Sequence, residues 1–161
     1  MLFRSLRIGI PLPYFRWVWP LAAVWASGVV AALAPDVRNV GMFCNEQNRD
    51  FAPFARLRDL VAADVNGPGF DGEWAADCFA PFATLPKLEV LGVPLQPRMT
   101  ADHLRVLAKS RSLRSLTLHL RRALTADDVQ ALATLPLLST LTLVDGSVDA
   151  ACVHALSGLP R

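Results

Sequence analysis

Internal repetition is the feature of this chain that most constrains its fold. Three short strings each occur twice, namely Phe-Ala-Pro-Phe-Ala at 51–55 and 79–83, Ala-Thr-Leu-Pro at 83–86 and 133–136, and Thr-Ala-Asp at 100–102 and 125–127. All of these echoes fit one register, in which successive units are offset by 28, 25 and 25 residues. A unit of this length is too small to bury its own apolar side, so the fixed period predicts a solenoid of stacked units.

Each unit carries aliphatic residues with the spacing of a short strand. Four sets of positions align, namely Leu57, Leu60, Ala63 and Val65; Leu85, Leu88, Leu91 and Val93; Ser110, Leu113, Leu116 and Leu118; and Leu135, Leu138, Leu141 and Leu143. The last three positions of each set follow L-x-x-L-x-L, weakened in the first unit, and the final alternation has the period of two that places one strand face inward. We therefore expect one strand per unit, with these aliphatic side chains in a common core.

A second apolar pair, spaced i and i+3, recurs in the same register. The pairs are Phe51 and Phe54, Phe79 and Phe82, Leu104 and Leu107, Val129 and Leu132, and Val153 and Leu156. This spacing puts both side chains on one face of a helical turn. Thr100, Thr125 and Asp149 stand four residues ahead of their pairs and are suited to cap a helix. Thr125 and Asp128 also have the spacing of a capping box.

Residues 51–161 resemble the leucine-rich repeat family, in its bacterial type of about 24 residues per repeat. The resemblance is carried by Leu113-Arg-Ser-Leu116-Thr-Leu118 with Leu124-Thr-Ala-Asp127-Asp-Val129-Gln-Ala-Leu132, and by Leu138-Ser-Thr-Leu141-Thr-Leu143 with Val148-Asp149-Ala-Ala-Cys-Val153-His-Ala-Leu156. It implies an α/β fold, a leucine-rich repeat solenoid of about four repeats with short parallel strands on one face and short helices on the other. Where the family often has a laddering Asn, this chain has Pro68, Gln96, Arg121 and Gly146, so its turns must satisfy backbone groups in another way.

The segment 17–34 is uncharged and apolar on all sides, and it follows Arg4, Arg7 and Arg16. Basic residues ahead of such a segment place the amino terminus in the cytoplasm. Residues 1–34 are expected to be a signal peptide or a signal-anchor transmembrane helix, with a buried core helix as the third interpretation.

Aromatic residues typical of a membrane interface, Tyr14, Trp17 and Trp19, favour the anchor. Residues 35–50 are then a linker or amino-terminal cap, and residues 51–161 are the repeat domain. The repeat domain is expected to be extracytoplasmic on a membrane anchor, or secreted or periplasmic if the leader is cleaved.

Charge and cysteine content limit the partners. The formal net charge is +2, and residues 35–161 hold 13 basic and 14 acidic side chains, which argues against a nucleic-acid partner. Four arginines near His119 form either a local anion site or a solvated edge, namely Arg111, Arg114, Arg121 and Arg122. Cys44 and Cys78 form a disulfide that caps the first repeat, or else all three cysteines, with Cys152, are small buried apolar residues.

No catalytic or cofactor motif is present in the sequence. His103 and His154 fall on predicted helical turns of different repeats, and His119 falls on a strand. The chain has neither metal-ligand spacing nor a glycine-rich phosphate loop, and Asp127 and Asp128 suit the start of a helix better than a cation site. We predict a protein that is not an enzyme, with no cofactor or metal.

The outward-facing strand residues form two predicted columns across the sheet. One column is Asp64, Gly92, Thr117 and Thr142, and the other is Asn66, Pro94, His119 and Val144. Such a surface is mildly polar, and surfaces of this kind on solenoids bind protein or peptide. The alternative is that both columns only face solvent. Pro94 lacks an amide donor, so the strand ladder is expected to weaken there.

The final residues, 157–161, match the approach to a further strand that does not follow. Unit four is therefore expected to be uncapped, either because the chain is a fragment of a longer array or because another subunit covers it. The primary functional hypothesis is a membrane-anchored or exported protein-binding module. The alternatives are a structural module that self-associates through unit four, and an intracellular regulator with a buried amino-terminal helix.

Overall fold

A parallel sheet with its strands in sequence order is the framework of the protein. The computed structural model describes residues 6–7, 38–43, 50–67, 72–148 and 150–157. The six strands of the sheet in this part of the chain are β1 (Leu6–Arg7), β2 (Asn39–Phe43), β3 (Ala62–Asn66), β4 (Val90–Leu95), β5 (Ser115–Leu120) and β6 (Thr140–Val144). Each strand pairs in parallel with the next one along the chain.

Short helices alternate with the strands from β2 onward. They are the 3₁₀ helix η1 (Ala52–Arg56), α1 (Ala80–Ala83), α2 (Ala101–Arg105) continued by the 3₁₀ helix η2 (Val106–Lys109), α3 (Ala126–Ala133) and α4 (Ala150–Ser157). Parallel strands in sequence order need crossovers of one hand, which carry all the helices to one face of the sheet. The fold is α/β, in an arrangement compatible with a solenoid.

The strand register follows the sequence period. Leu91 pairs with Leu116, which pairs with Leu141, and the next inward row is Val93, Leu118 and Leu143. Leu88 and Leu113 are buried, and Leu138 packs against the same core cluster. The predicted strand phase is therefore confirmed, and the repeated aliphatic residues share one interior.

The repeated phenylalanines close the core beside the first helices. Phe51 lies 5.4 Å from Phe82 and 6.1 Å from Phe79 between ring centroids, and Phe54 lies 5.2 Å from Phe82. Trp74 stacks on Phe51 at 5.9 Å. The predicted i, i+3 pairs in η1 and α1 therefore face inward, and large rings replace the leucines of later repeats.

The fifth apolar pair is phased differently from the prediction. Val153 in α4 is 58% exposed, whereas Cys152 is fully buried. The Cys152 thiol donates to the Leu124 carbonyl at 2.9 Å, which holds that side of the helix against the preceding unit. The expectation that Val153 anchors the helix was wrong.

Polar side chains join neighbouring units by donating hydrogen bonds to backbone carbonyls of the preceding unit. Arg122 Nε donates to the Met99 carbonyl at 2.9 Å, and Ser112 Oγ donates to the Leu85 carbonyl at 3.1 Å. Gln96, at one of the ladder positions, is fully buried. The backbone groups of the turns are thus satisfied by side chains of differing type, which no single-letter pattern reveals.

The sheet begins before the region that the sequence assigns to repeats. β1 lies within the predicted leader 1–34, and β2 lies within the predicted linker or cap 35–50. The apolar segment 17–34 lies outside the described residues. Among the residues that are described, no helix has the length and apolar character needed to cross a bilayer.

Candidate binding surface on the sheet

The first predicted column is continuous across the sheet. The register joins Gly41 to Asp64, Asp64 to Gly92, Gly92 to Thr117 and Thr117 to Thr142. In the second column, Pro94 pairs with His119 and His119 with Val144. Side chains in one column lie about 4.8 Å from their neighbours, so each column presents one row of chemistry.

Sequence reasoning missed a third column, closer to the amino ends of the strands. The register aligns Asn39, Ala62, Val90, Ser115 and Thr140. Val90 is 42% exposed, so this column adds an apolar side chain to the outward surface of the sheet. The sequence could have predicted this column. Its positions lie two residues before those of the first predicted column, and alternate residues of a strand face the same side of the sheet.

Solvent exposure divides the outward surface of the sheet into two parts. In the filled part, around β4, the residues are buried, and in the open part they are accessible to solvent. Gly92, Pro94 and His119 lie on the outward side of the sheet as predicted, but they are buried. Asp64 and Thr142 are exposed, while Asn66, Thr117 and Val144 are partly buried. The expectation that all eight residues of the two columns are available to a partner therefore needs correction at the three buried positions.

A hydrogen bond across β4 fills the middle of the surface. His119 Nε2 lies 3.0 Å from Asp64 Oδ1, although β4 separates their strands. A Cβ at Gly92 would lie 2.1 Å from that carboxylate oxygen, so the bond depends on glycine at this position. The other ring nitrogen of His119, Nδ1, is buried with no hydrogen-bond partner among the described residues. The absent side chain of Gly92 is thus what lets β3 and β5 contact each other.

Arg121 completes the filled part at the carboxyl ends of the strands. Its Nε donates to the Gly67 carbonyl at 3.0 Å, its Nη2 to Asn66 Oδ1 at 3.1 Å, and its Nη1 to Asp145 Oδ2 at 3.3 Å. The β3–β4 register ends at Gly92, before Pro94, in line with the missing amide donor. The guanidinium of Arg121, which follows β5, thus reaches past β4 and binds the end of β3 where the β3–β4 ladder has stopped.

The four arginines near His119 do not form one anion site. Arg121 and Arg122 lie after β5 and are engaged in ion pairs, whereas Arg111 and Arg114 lie before it. Six strand residues separate the two pairs, a distance of about 20 Å. The predicted cluster is therefore two separate pairs of arginines, one at the amino end of β5 and the other at its carboxyl end.

Arg122 and Asp128 form a buried pair at the start of α3. Arg122 Nη1 donates to Asp128 Oδ2 at 2.6 Å, Nη2 donates to Oδ1 at 2.9 Å, and Thr125 N donates to Oδ2 at 2.9 Å. Burial alone would raise the pKa of Asp128, but these hydrogen bonds and the Arg122 charge hold the pKa below its usual value. The predicted capping box of Thr125 and Asp128 is confirmed, and the guanidinium joins it.

His103 makes the corresponding contact in α2. Its Nδ1 accepts from Thr100 N at 3.1 Å, and its Nε2 lies 3.3 Å from the Trp74 carbonyl. With Nδ1 accepting, the neutral ring carries its proton on Nε2 and donates to that carbonyl. His103 is therefore occupied in joining two repeats.

The open part of the surface is built from hydroxyl side chains on the last two strands. Ser115 pairs with Thr140 and Thr117 with Thr142, which gives a two-by-two grid. We call these four residues the hydroxyl patch. All four are exposed or partly buried, and Val90 lies beside Ser115 at the edge of the grid. Hydroxyls both donate and accept, so the patch can bind either polar group of a peptide backbone.

A charged cleft of about 360 Å³ lies at the amino ends of the strands. It contains four basic and two acidic side chains, namely Arg38, Lys87, Arg111, Arg114, Asp59 and Glu89. Lys87 donates a hydrogen bond to Asp59, and this bond together with the Lys87 charge lowers the pKa of that carboxyl. The sequence did not predict this cleft, because its residues come from four separate loops.

The described part of the chain contains neither a disulfide nor a group of side chains placed to bind a metal ion. Cys78 and Cys152 are both buried, and burial, with the Asp77 charge nearby, raises the pKa of the Cys78 thiol to about 12. Cys44, the predicted partner of Cys78, lies outside the described residues. Within the described ranges, no group of three or more His, Cys, Asp or Glu side chains is placed to hold a metal ion.

Comparison with known proteins gives no relative from which a function can be transferred. No protein-family model matches the chain, and no curated protein sequence matches it. Any function must therefore be inferred from the surfaces described above.

Proposed function

We propose that this chain is a non-enzymatic protein-binding module of the leucine-rich repeat type, and that it binds a protein or peptide on its hydroxyl patch. The observation that carries the proposal is that Ser115, Thr117, Thr140 and Thr142 are aligned by the register and not engaged in the filled part of the sheet. The repeat-type assignment rests on the sequence resemblance over residues 51–161 and on the strand and helix in each unit.

The hydroxyl patch suits an uncharged peptide segment. Neighbouring strands are about 4.8 Å apart and alternate residues along a strand are about 6.8 Å apart, so the patch spans only a few peptide units. Protein interfaces are depleted of charge at their centres, and the patch itself carries none. Val90, 42% exposed beside Ser115, adds an apolar contact at its margin.

A photo-crosslinking experiment tests this surface. A photoreactive phenylalanine replaces Thr142 in the full chain in its native host, and Gln130, exposed on α3, is replaced as the matched control. We expect a discrete crosslinked partner from position 142 and none from position 130. Adding Thr117→Arg should abolish the product, because the larger charged side chain covers the hydroxyl patch. The same product from both positions, or a product insensitive to Thr117→Arg, would contradict the proposal.

The location of the module is a proposal that rests on residues 17–34. An uncharged segment preceded by three arginines supports membrane anchoring or export of the repeat domain. Membrane fractionation with the mass of the mature chain tests this. Recovery of the uncleaved chain in the soluble cytoplasm would exclude both forms and support the intracellular alternative.

Self-association through the last repeat is the second candidate, and the packing of β6 favours it. Leu141 and Leu143 are only partly buried, whereas Leu116 and Leu118, their partners in β5, are fully buried. A second copy covering β6 would bury the two leucines. Sedimentation over a range of protein concentrations tests this, and a constant monomer mass would rule it out.

A further inference from the structure

The charged cleft at the amino ends of the strands has a defined architecture. Arg38, Glu89 and Arg114 directly precede β2, β4 and β5. Their backbones belong to one ladder, in which Arg114 N and Ser115 N both donate to the Glu89 carbonyl at 2.9 Å. Because the strands are parallel, the Cα atoms of these three residues lie together at the amino ends of the strands. Their side chains extend into solvent.

The ion pairing within the cleft is incomplete. Lys87 and Asp59 bind each other, and the Arg38 charge also attracts the Asp59 carboxylate. Glu89 is the other acidic side chain of the lining, beside Arg111 and Arg114. Arg38, Arg111 and Arg114 form no salt bridge with any residue that the structure describes. By contrast, Arg105, Arg121 and Arg122 are each paired with an aspartate. The cleft therefore combines a formal excess of two positive charges with free guanidinium groups.

We propose that this cleft binds carboxylate groups of an acidic peptide segment, so that the protein partner places acidic side chains beside the stretch bound on the hydroxyl patch. This inference rests on the proposed function. A guanidinium presents a planar fork of donors that matches a carboxylate in a bidentate arrangement. Arg111 and Arg114, three residues apart on one loop, provide two such forks.

The composition and size of the cleft favour a short acidic peptide over a nucleic acid or an anionic bilayer. Asp59 and Glu89 lie inside it and would repel the dense charge of a nucleic acid or an anionic bilayer. A volume of about 360 Å³ accommodates several side chains, whereas a duplex needs an extended basic face. A flexible peptide can place two of its carboxylates against the arginines and turn its other side chains into solvent, away from Glu89.

The cleft and the hydroxyl patch are adjacent. Arg114 directly precedes Ser115, and Glu89 directly precedes Val90, whose neighbour in the register is Ser115. One extended segment that crosses β4 and β5 would therefore contact both features. Acidic residues on one side of a neutral stretch are the pattern expected in the partner.

Fluorescence anisotropy with a labelled hexaglutamate peptide tests the cleft, using the full chain at low ionic strength. We expect saturable binding, weakened by about fivefold to tenfold in the double variant Arg111→Gln, Arg114→Gln, because two carboxylate pairs are lost. The matched control Arg105→Gln, Lys109→Gln removes the same charge from the helical side and should change the affinity by less than about twofold. Glu89→Gln should strengthen binding, since it removes a repelling charge.

Four results would overturn the proposal. They are non-saturable binding, equal losses in the two double variants, weaker binding by Glu89→Gln, and tighter Arg111- and Arg114-dependent binding of phosphatidylserine vesicles or of a DNA duplex than of hexaglutamate. Circular dichroism checks that each variant is folded. If hexaglutamate fails while crosslinking from position 142 persists, only the acidic-segment inference falls. If crosslinking also fails, the proposed function falls with it.

Discussion

At the scale of single residues, the contacts that most define this protein lie where polar groups are buried. Asp128 is fully buried, and its two oxygens are divided between Arg122 and Thr125. A buried ionised carboxylate is tolerated only when it is paired and hydrogen-bonded in this way. The pair therefore joins the start of α3 to the end of β5, and loss of either partner would leave the other charge buried and uncompensated.

Asp128→Asn should lower the free energy of unfolding by about 2 to 3 kcal/mol, because the Arg122 charge loses its partner in a largely buried position. Asp127→Asn, on the exposed side of the same turn, should cost about 0.3 kcal/mol. Urea unfolding followed by circular dichroism measures both. Similar costs for the two changes would contradict the role of Asp128.

The same variant should reveal a pH dependence. The folded-state pKa of Asp128 lies below its ordinary value of 3.8, so its contribution is complete above that value and is lost as the pH falls further. The stability gap between the native chain and Asp128→Asn should therefore narrow as the pH falls below 3.8. A gap that stays constant over this range would show that Asp128 does not titrate as described.

Two glycines should respond differently to alanine. A Cβ at Gly146 would lie 2.3 Å from the Cβ of buried Leu120, so Gly146→Ala forces a shift in the core and should cost about 1 to 3 kcal/mol. At Gly92 the obstacle is the exposed Asp64 carboxylate, which can turn away. Gly92→Ala should therefore lower the free energy of unfolding by about 1 kcal/mol, which is the contribution expected for the hydrogen bond between Asp64 and His119. Thermal unfolding ranks the two, and the reverse order would be inconsistent with this geometry.

At the scale of the elements, each strand has one face in the core and one on the surface. β5 shows this alternation in its first half, with Leu116 and Leu118 buried and Ser115 and Thr117 partly exposed. β4 departs from it, because Gly92 and Pro94 are buried although they lie on the outward side. A strand pattern therefore predicts the direction of a side chain reliably and its accessibility less so.

Adjacent residues of β5 should tolerate charge very differently. Leu116→Asp places an unpaired carboxylate in the core and should unfold the chain, with a loss of more than about 4 kcal/mol. Thr117→Asp, one residue further on the outward face, should change stability by less than about 1 kcal/mol. Far-UV circular dichroism with urea titration distinguishes them. Equal tolerance of both substitutions would refute the strand phase.

At the scale of the whole molecule, each strand with its helix is stabilised mainly by its neighbours. Within the described ranges the strands pair with those next to them in sequence, and the helices contact the helices of adjacent units. Burial is complete for the inward leucines of β5 and incomplete for those of β6. Local stability in such an array follows the number of neighbours that each unit has.

Native-state hydrogen exchange should therefore show a gradient along the array. The amides of β4 and β5 should exchange most slowly, and those of β6 should exchange faster, because β6 has one strand partner among the described residues and its leucines are partly exposed. Mass spectrometry of proteolytic fragments after exchange measures this. Slower exchange in β6 than in β5 would indicate that a further surface covers the strand.

The sequence by itself determined the repeat register, the inward leucines of the strands, and the caps at Thr100 and Thr125. Each of these depends on spacing along the chain, which a linear pattern contains. Residues 17–34 stay a sequence-based prediction, because they lie outside the described residues.

Only the tertiary structure decided which side chains meet from different repeats. Arg121 binding to Asn66 and the free arginines of the cleft involve partners from separate loops and strands, which no local pattern links. Val153 shows the same limit, because the spacing predicted an inward position and the packing of Cys152 turned the helix. Periodicity sets the direction of a side chain from its own strand or helix, whereas its burial and its partners depend on what the neighbouring repeats place beside it.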